Sequence, residues 1–536
     1  MNRLGLSAVA SVLVLMASVA ASERPLIDAV KAQDINAVRT LLKQGADVNG
    51  PLADGATALH WAAYRDDVPI ADALIRAGAS VNVANQLGIT PLMLACHNGS
   101  PAMADLLLKA GADPNAGPTG GATPVMTAAR VGSAEVLKLL LAHGGDANAK
   151  EALQGQTALM WAAAERHPET VRILVENGAD VKARTRTPEL PAADAGPNAN
   201  ALAPPTRGDG FTPLLFAARV GDVESARILL QAGADVNDTT ASGLSALVLA
   251  TVRGHPALAT FLLEKGANPN ADDAGYNALH WAAGTWESEL TVRAITDERP
   301  GEWYTIAGLK EGKLELVKAL LAHGADPNAR MKKAPPRAGG SKNAGLPELS
   351  GATPRVLAAM AGDPQVMRAL VAGGADIRLR TNANGTVLMA AAGLGHVQGE
   401  NSVSDSAALA AAQAALALGA DPKAVDDVGN TALHYAGYLR HDSVIKLLVE
   451  KGTPLDATNK FQETALWTSE LVVQFSGGGV FTLLHSSAGD LLRKMGAERI
   501  KACYEYARPT EWPDIPRTEG GQVVPAALTK DSQCGK

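Results

Sequence analysis

Apolar and polar positions follow one another along this chain in blocks that recur about every 33 residues, and the blocks share one internal pattern. The clearest runs from Thr212 to Asn237, TPLLFAARVGDVESARILLQAGADVN. Thr212 is suited to cap a helix, and Pro213 falls at the first helical position, where its missing N–H costs nothing. The spacing predicts a helix to about Val220, a stop at Gly221, and a second helix from about Val223. That second helix puts Ala226, Leu229 and Leu230 on one face and ends before Gly233, which is fit for the left-handed C′ position.

Two helices this short bury too little apolar surface to offset the entropy of ordering them, so each block requires neighbours. The capping position recurs at Thr57, Thr90, Thr123, Thr157, Thr212, Ser245, Asn277, Thr353, Thr386, Thr431 and Thr464, mostly 32 to 34 residues apart. The terminating glycine recurs with it from Gly45 to Gly496, which marks twelve units. The first block, from Arg24 to Asn49, has Arg24 in place of the threonine and charges at Asp28 and Lys31, as an N-terminal cap with one polar face requires.

A period near 33 with T-P-L-H-x-A-A followed by G-A-D-x-N resembles the ankyrin-repeat family, over residues 24 to about 497. The resemblance implies an all-α solenoid of about twelve helix-turn-helix units joined by β-hairpin-like loops. It also implies a scaffold or adaptor that binds a partner protein through the concave groove and the hairpin tips, not an enzyme. In that family the histidine of T-x-L-H bonds between neighbouring turns, so the resemblance gives His60, His280 and His434 a structural role.

Composition changes this picture in three respects. A length of 536 residues would otherwise suggest several globular domains, but the repeat implies one long array. Only 4% of residues are aromatic, so the core must be Ala and Leu, and a net charge of −7 argues against a nucleic-acid partner. Residues 1–22 read as a signal peptide: Arg3, an apolar run from Leu4 to Ala17, then small residues to Ser22. That run is too short for a membrane span of about 20 residues. The reading is of a monomer exported to the periplasm or outside the cell, and the short Ala-rich leader points to a bacterium.

Of three cysteines, Cys96 stands at a small core position and reads as an inert buried thiol. Cys503 and Cys534 bracket the tail from 498 to 536. A disulfide between them would close a loop of about 30 residues and contribute about 3–4 kcal/mol in the chain-entropy account.

Insertions interrupt the period near 182–208, 285–309, 331–350, 393–405 and 472–484. The first is rich in Pro, Ala and Asn and reads as an extended or disordered loop at a hairpin tip. The second holds Trp286, Trp303 and Tyr304, a candidate pocket or a cover for the apolar side of its own repeat. The third is basic and Gly/Pro-rich, with Lys332, Lys333, Arg337 and Lys342. No nucleophile–base, phosphate-loop, metal or haem signature appears in the sequence, so no catalytic residue, cofactor or metal is expected.

Near the ends of first helices stand Arg65, Arg130, Arg166, Arg219, Arg253 and Arg440. Pointing into one groove, they would form a basic ladder for carboxylates or an acidic partner surface, since Arg bonds carboxylates bidentately. The alternative is that they are solvated or paired with acids such as Asp66, Glu165 and Asp222. Just before the cap stand Ile89, Phe211, Leu244 and Tyr276, which are interface anchors if exposed and packing residues if folded onto the next hairpin. A second reading of the whole chain is a periplasmic accessory protein that binds a small molecule or cofactor at the aromatic insertion, or that assists a redox or stress enzyme.

Overall fold

A computed structural model describes residues 24–186, 210–285, 309, 311–332, 349–396, 403–474, 480–483 and 486–497. The leader, Trp286, Trp303, Tyr304, Cys503 and Cys534 lie outside the described residues, as does most of each insertion. The chain divides into two units: residues 1–189 with 207–241, and residues 190–206 with 242–536. Among the described residues each unit contains six helix pairs. The first unit runs from Pro25–Lys31 with Ile35–Lys43 to Pro213–Val220 with Val223–Gln231. The second runs from Ala246–Val252 with Pro256–Glu264 to Ala465–Glu470 with Ser487–Lys494.

The pair expected after Thr212 forms with Gly221 at φ 75° and Gly233 at φ 92°, the left-handed conformations that a side chain would resist. Thr90, Thr123, Thr157 and Ser245 cap their helices by accepting from the N–H three residues on, at 3.2–3.4 Å. Thr212 departs from the expectation, because its buried hydroxyl makes no hydrogen bond. Among the described residues two elements are not helical: Leu471–Gln474 pairs antiparallel with Val480–Leu483, in the insertion of the last repeat.

Small residues set the spacing of the layers. Ala62, Ala63, Ala128, Ala129, Ala162 and Ala163 are wholly buried where first helices meet, while Ile70, Leu74, Met103 and Leu107 fill the second-helix side. In the first unit the first helices pack more closely on one another than the second helices do, which makes the first-helix layer the concave side of that unit. Cys96 takes one of the small positions, and burial raises its thiol pKa to about 12, which keeps it protonated and unreactive.

Polar staples tie each repeat to the next. The Asn49 amide donates to the Gly78 carbonyl at 3.1 Å and accepts from the Ser80 N–H at 2.8 Å. Asn82, Asn115 and Asn148 repeat the pattern onto Gly111 with Asp113, Gly144 with Asp146, and Gly178 with Asp180. In the second unit Asn270 and Asn328 do the same. Each asparagine thereby satisfies a carbonyl and an N–H that a helix end and a turn leave open.

The T-x-L-H histidines are a second set of staples. His60 Nδ1 accepts from the Thr57 N–H at 3.1 Å, which leaves Nε2 to donate to the Ile89 carbonyl at 3.0 Å. His434 bridges Thr431 and Glu463 in the same way, and His280 bridges Asn277 and Ala329. Burial lowers all three pKa values, that of His280 to about 4, with the hydrogen bond to Ala329 opposing the shift.

The insertions begin from closed bases. The Thr185 N–H donates to the Phe211 carbonyl and the Phe211 N–H to Thr185 Oγ1, at 3.0 and 2.9 Å, so the first residues of the stretch read as an extended loop are held in place, and 187–209 lie outside the described residues. Met331 is likewise bonded to Gly351 and Ala352, and Lys332, the first cation of the basic insertion, pairs with Asp272 at 2.8 Å.

One core position breaks the pattern. Two residues after the cap the repeats place Leu59, Leu92, Leu159, Leu214, Leu279 or Leu388, and the ninth repeat places Arg355, which is 1% exposed. Its Nη2 donates to the Ile377 carbonyl at 2.8 Å, while Nε and Nη1 make no hydrogen bond. Burial lowers its pKa to about 10 against the attraction of Asp376.

Two outcomes follow. Arg355→Met, of similar length and without the charge, is expected to stabilise the protein by about 1–4 kcal/mol, since an imperfectly compensated buried ion costs more than it returns. A urea midpoint equal to or below that of the parent chain would contradict this. The folded chain keeps His280 neutral down to about pH 4, whereas the unfolded chain takes up the proton near pH 6.5. Stability is therefore full above pH 6.5 and falls as the pH drops to about 4, on the order of 2–3 kcal/mol from His280 alone. Urea titrations across this range should show a shallower fall in His280→Gln than in the parent.

Candidate interaction surface

Three first helices are entered through the same local device, a contact between the residue before the cap and the fourth residue of the helix. Phe211 meets Phe216 with ring centroids 5.4 Å apart, and Tyr276 meets Trp281 edge-to-face at 5.0 Å. A polar version joins Trp161 Nε1 to Gln156 Oε1 at 2.6 Å.

Burial decides between the two readings of the hairpin tips. Phe211, Leu244 and Tyr276 are 2%, 1% and 4% exposed, so these side chains are packed and do not stand out as anchors. The ring of Tyr276 is buried deeply enough to raise its hydroxyl pKa. Ile89 is half-buried, and its carbonyl is taken by His60. What the tips of the first unit expose is Leu87, at 77%, and Leu153, at 83%. They lie three and four residues before their caps, positions that no periodicity marks as apolar.

The six arginines do not form one ladder, because they fall at three successive positions of the repeat. Arg130 and Arg219 lie in the last turn of their helices, seven residues after the cap. Arg65 and Arg253 are the C-cap residues one step later. Arg166 and Arg440 come one further step on, where other repeats have a glycine, and hold left-handed backbone at φ 62° and 60°. Successive residues at a helix end point in different directions, so equal spacing along the chain does not bring the six together. Of the acids proposed as their partners, Asp222 is committed elsewhere: its carboxylate accepts from the N–H groups of Glu224 and Ser225 at 3.1 and 3.2 Å. In the second unit Arg440 Nε donates to the Ser469 carbonyl at 3.4 Å.

Within the first unit a different order appears. Seven residues after the cap position stand Lys31, Tyr64, His97, Arg130, Ala164 and Arg219, and Lys31, Arg130 and Arg219 sit over aromatic rings four residues after a cap. Lys31 Nζ lies 4.4 Å from the centre of the Trp61 ring in the next repeat, and Arg130 Cζ lies 5.3 Å from that of Trp161 in the next repeat. Arg219 Cζ is 4.8 Å from Phe216 in its own repeat and 5.9 Å from Phe211. Tyr64 packs edge-to-face on Trp61 at 5.7 Å and remains 54% exposed. The sequence reading named the arginines, took Lys31 only as a charge of the N-terminal cap, and did not name Trp61, Tyr64 or Trp161. The signal was available in the +4 and +7 positions of successive repeats. Trp286 and Trp303, the aromatic-insertion candidates, lie outside the described residues.

Comparison with known proteins bears on the repeats of both units. The family described as ankyrin repeats in three copies matches residues 26–118, 115–185, 192–273 and 214–299, and the single ankyrin repeat matches 303–332, 350–382 and 428–460. The chain is 27% identical over 255 residues to the E3 ubiquitin-protein ligase KEG of Arabidopsis thaliana, a match covering 44% of this chain and 13% of the ligase. It is 43% identical over 63 residues to a putative ankyrin repeat-containing protein of Treponema pallidum (strain Nichols), covering 12% of this chain and 21% of that protein. It is 29% identical over 240 residues to ankyrin repeat and SAM domain-containing protein 6 of Danio rerio, covering 42% and 30%. The chain thus spans less than a third of the length of each of these relatives. Among solved structures, the human ASB11 ankyrin repeat domain aligns over 46% of this chain and 99% of its own at 30% identity, with a TM-score of 0.38. Matched by the family over most of its length and built of the helix pairs that the family's motif specifies, the chain belongs to the ankyrin-repeat family.

Proposed function

We propose that this protein is a binding scaffold that engages a partner protein through the concave side and hairpin tips of residues 24–241. The observation that carries the reading is the set of exposed large apolar side chains in this unit, Tyr64, Leu87, Val131 and Leu153, in the same unit as the exposed Arg65, Arg130 and Arg166. Aromatic and Arg side chains supply a large share of the energy at protein interfaces, and charge adds orientation and on-rate. Binding of this kind makes and breaks no covalent bond. The ligase activity in the name of the Arabidopsis relative is not carried over, because the chain matches only 13% of that protein.

Export to the periplasm or outside the cell is part of the proposal and rests on the pattern of residues 1–22. Among the described residues no helix is long and apolar enough to cross a membrane.

The test is capture from periplasmic extract by the mature chain, beside a Leu87→Ser, Leu153→Ser variant of equal helicity. The captured protein is then purified and titrated against both. A loss of tenfold or more in affinity, about 1.4 kcal/mol, is expected when two exposed anchors are removed. Equal affinity for both forms would remove the tips from the proposed surface, and no saturable capture would count against the scaffold reading itself.

A further inference from the structure

In a repeat array each junction contributes its own share of stability, so a junction weaker than its neighbours opens before they do. Within the second unit two poorly compensated cations fall at one junction. It joins the eighth repeat, Ala278–Ala283 with Lys313–Ala322, to the ninth, Pro354–Met360 with Pro364–Ala372.

Arg355 is the first of the two. Among the described residues it is the only wholly buried Lys or Arg side chain, and every other repeat has an apolar residue, Leu or Val, at its position. Nη2 reaches the Ile377 carbonyl, but Nε and Nη1 are shut off from solvent and make no hydrogen bond. Asp376, the acid whose charge Arg355 feels, is engaged by another residue. Its carboxylate accepts from the N–H, Nε and Nη2 of Arg378 at 2.9, 3.1 and 3.3 Å.

Lys313 is the second. Its side chain is 15% exposed, and its ammonium lies 3.7 Å from Asp363 of the ninth repeat, an ion pair longer than a hydrogen bond. The same carboxylate caps Pro364–Ala372 by accepting from the Gln365 and Val366 N–H groups at 3.1 and 3.0 Å. Burial outweighs the attraction of Asp363 and lowers the Lys313 pKa. The helix that starts at Lys313 is also without a capping side chain, because Gly312 precedes it.

The junction is closed all the same: Asn328 bonds Gly374 and Asp376 across it, as the other asparagine staples do. Its weakness lies in energy and not in geometry. Opening returns both cations to full hydration, whereas opening a junction of alanine and leucine only exposes apolar surface.

We propose that the junction of the eighth and ninth repeats is a hinge of the second unit, where the helices of residues 313–322 and 354–372 open locally while the repeats on either side stay folded. The hinge gives the array a second state without global unfolding, and in that state the helix faces around Arg355 meet solvent. The inference is independent of the scaffold reading.

The test is native-state hydrogen exchange of the full mature chain in low urea, read by mass spectrometry. Segments 313–322 and 354–372 are expected to exchange at least tenfold faster than 256–264 and 442–450, a difference of about 1.4 kcal/mol in opening free energy. Arg355→Met should slow exchange at 354–372 at least tenfold. Arg368→Met, at an exposed position of the same repeat, should leave it unchanged. Equal protection of the four segments in the parent chain would overturn the inference. Fast exchange at 354–372 that Arg355→Met does not slow, or that Arg368→Met slows as much, would overturn it too, because the buried charge would then not be the cause.

Discussion

Among the described residues no helix in the repeats before the tenth exceeds ten residues, and helices of this length do not persist alone in water. Stability in this chain therefore resides between repeats. The alanine pairs let first helices approach closely, and the approach aligns Asn49, Asn82, Asn115 and Asn148 with the backbone of the following repeat. Packing and hydrogen bonding depend on each other here. A larger side chain at the alanine positions would move the asparagines out of reach, and an unpaired loop would loosen the helices it joins.

The same dependence explains where ionisable groups sit. His60, His280 and His434 are buried because the carbonyl each must reach belongs to the next repeat, and burial keeps them neutral. Arg355 shows the opposite situation, a charge in a leucine position with one good hydrogen bond and two nitrogens unsatisfied. Local strain is accepted as well. Asp66, Arg166 and Arg440 take a left-handed backbone that glycine adopts freely in the other repeats, at a cost of roughly 1 kcal/mol each.

With the scaffold so regular, differences between repeats are confined to positions the framework does not use. The contact between the cap-preceding residue and the fourth helical residue draws Phe211 and Tyr276 inward and leaves the tips to Leu87 and Leu153. Seven residues after the cap the first unit places Lys31, Arg130 and Arg219 over rings, while the second places Val252, Met360 and Tyr438 at that position.

The repeat period, the helix pair after Thr212, the glycine stops and the structural histidines were all legible in the amino-acid order, because each depends on residues within a few positions or on an exact recurrence of them. The β-ladder of Leu471–Gln474 with Val480–Leu483 was not, since Gly477 to Gly479 marked only an interruption between helices. Nor was the fate of the surface residues. Six arginines at similar spacing looked like one row, but a shift of one residue at a helix end turns a side chain by about 100°, given 3.6 residues per turn. Exposure of Phe211 and Tyr276 turned on a neighbour five residues away across a helix start, and the pairing of Lys31 with Trp61 on a contact 30 residues distant in sequence. Local order was enough to specify the helices. Which side chains reach solvent, and which cations meet which rings, was decided only when one repeat packed against the next.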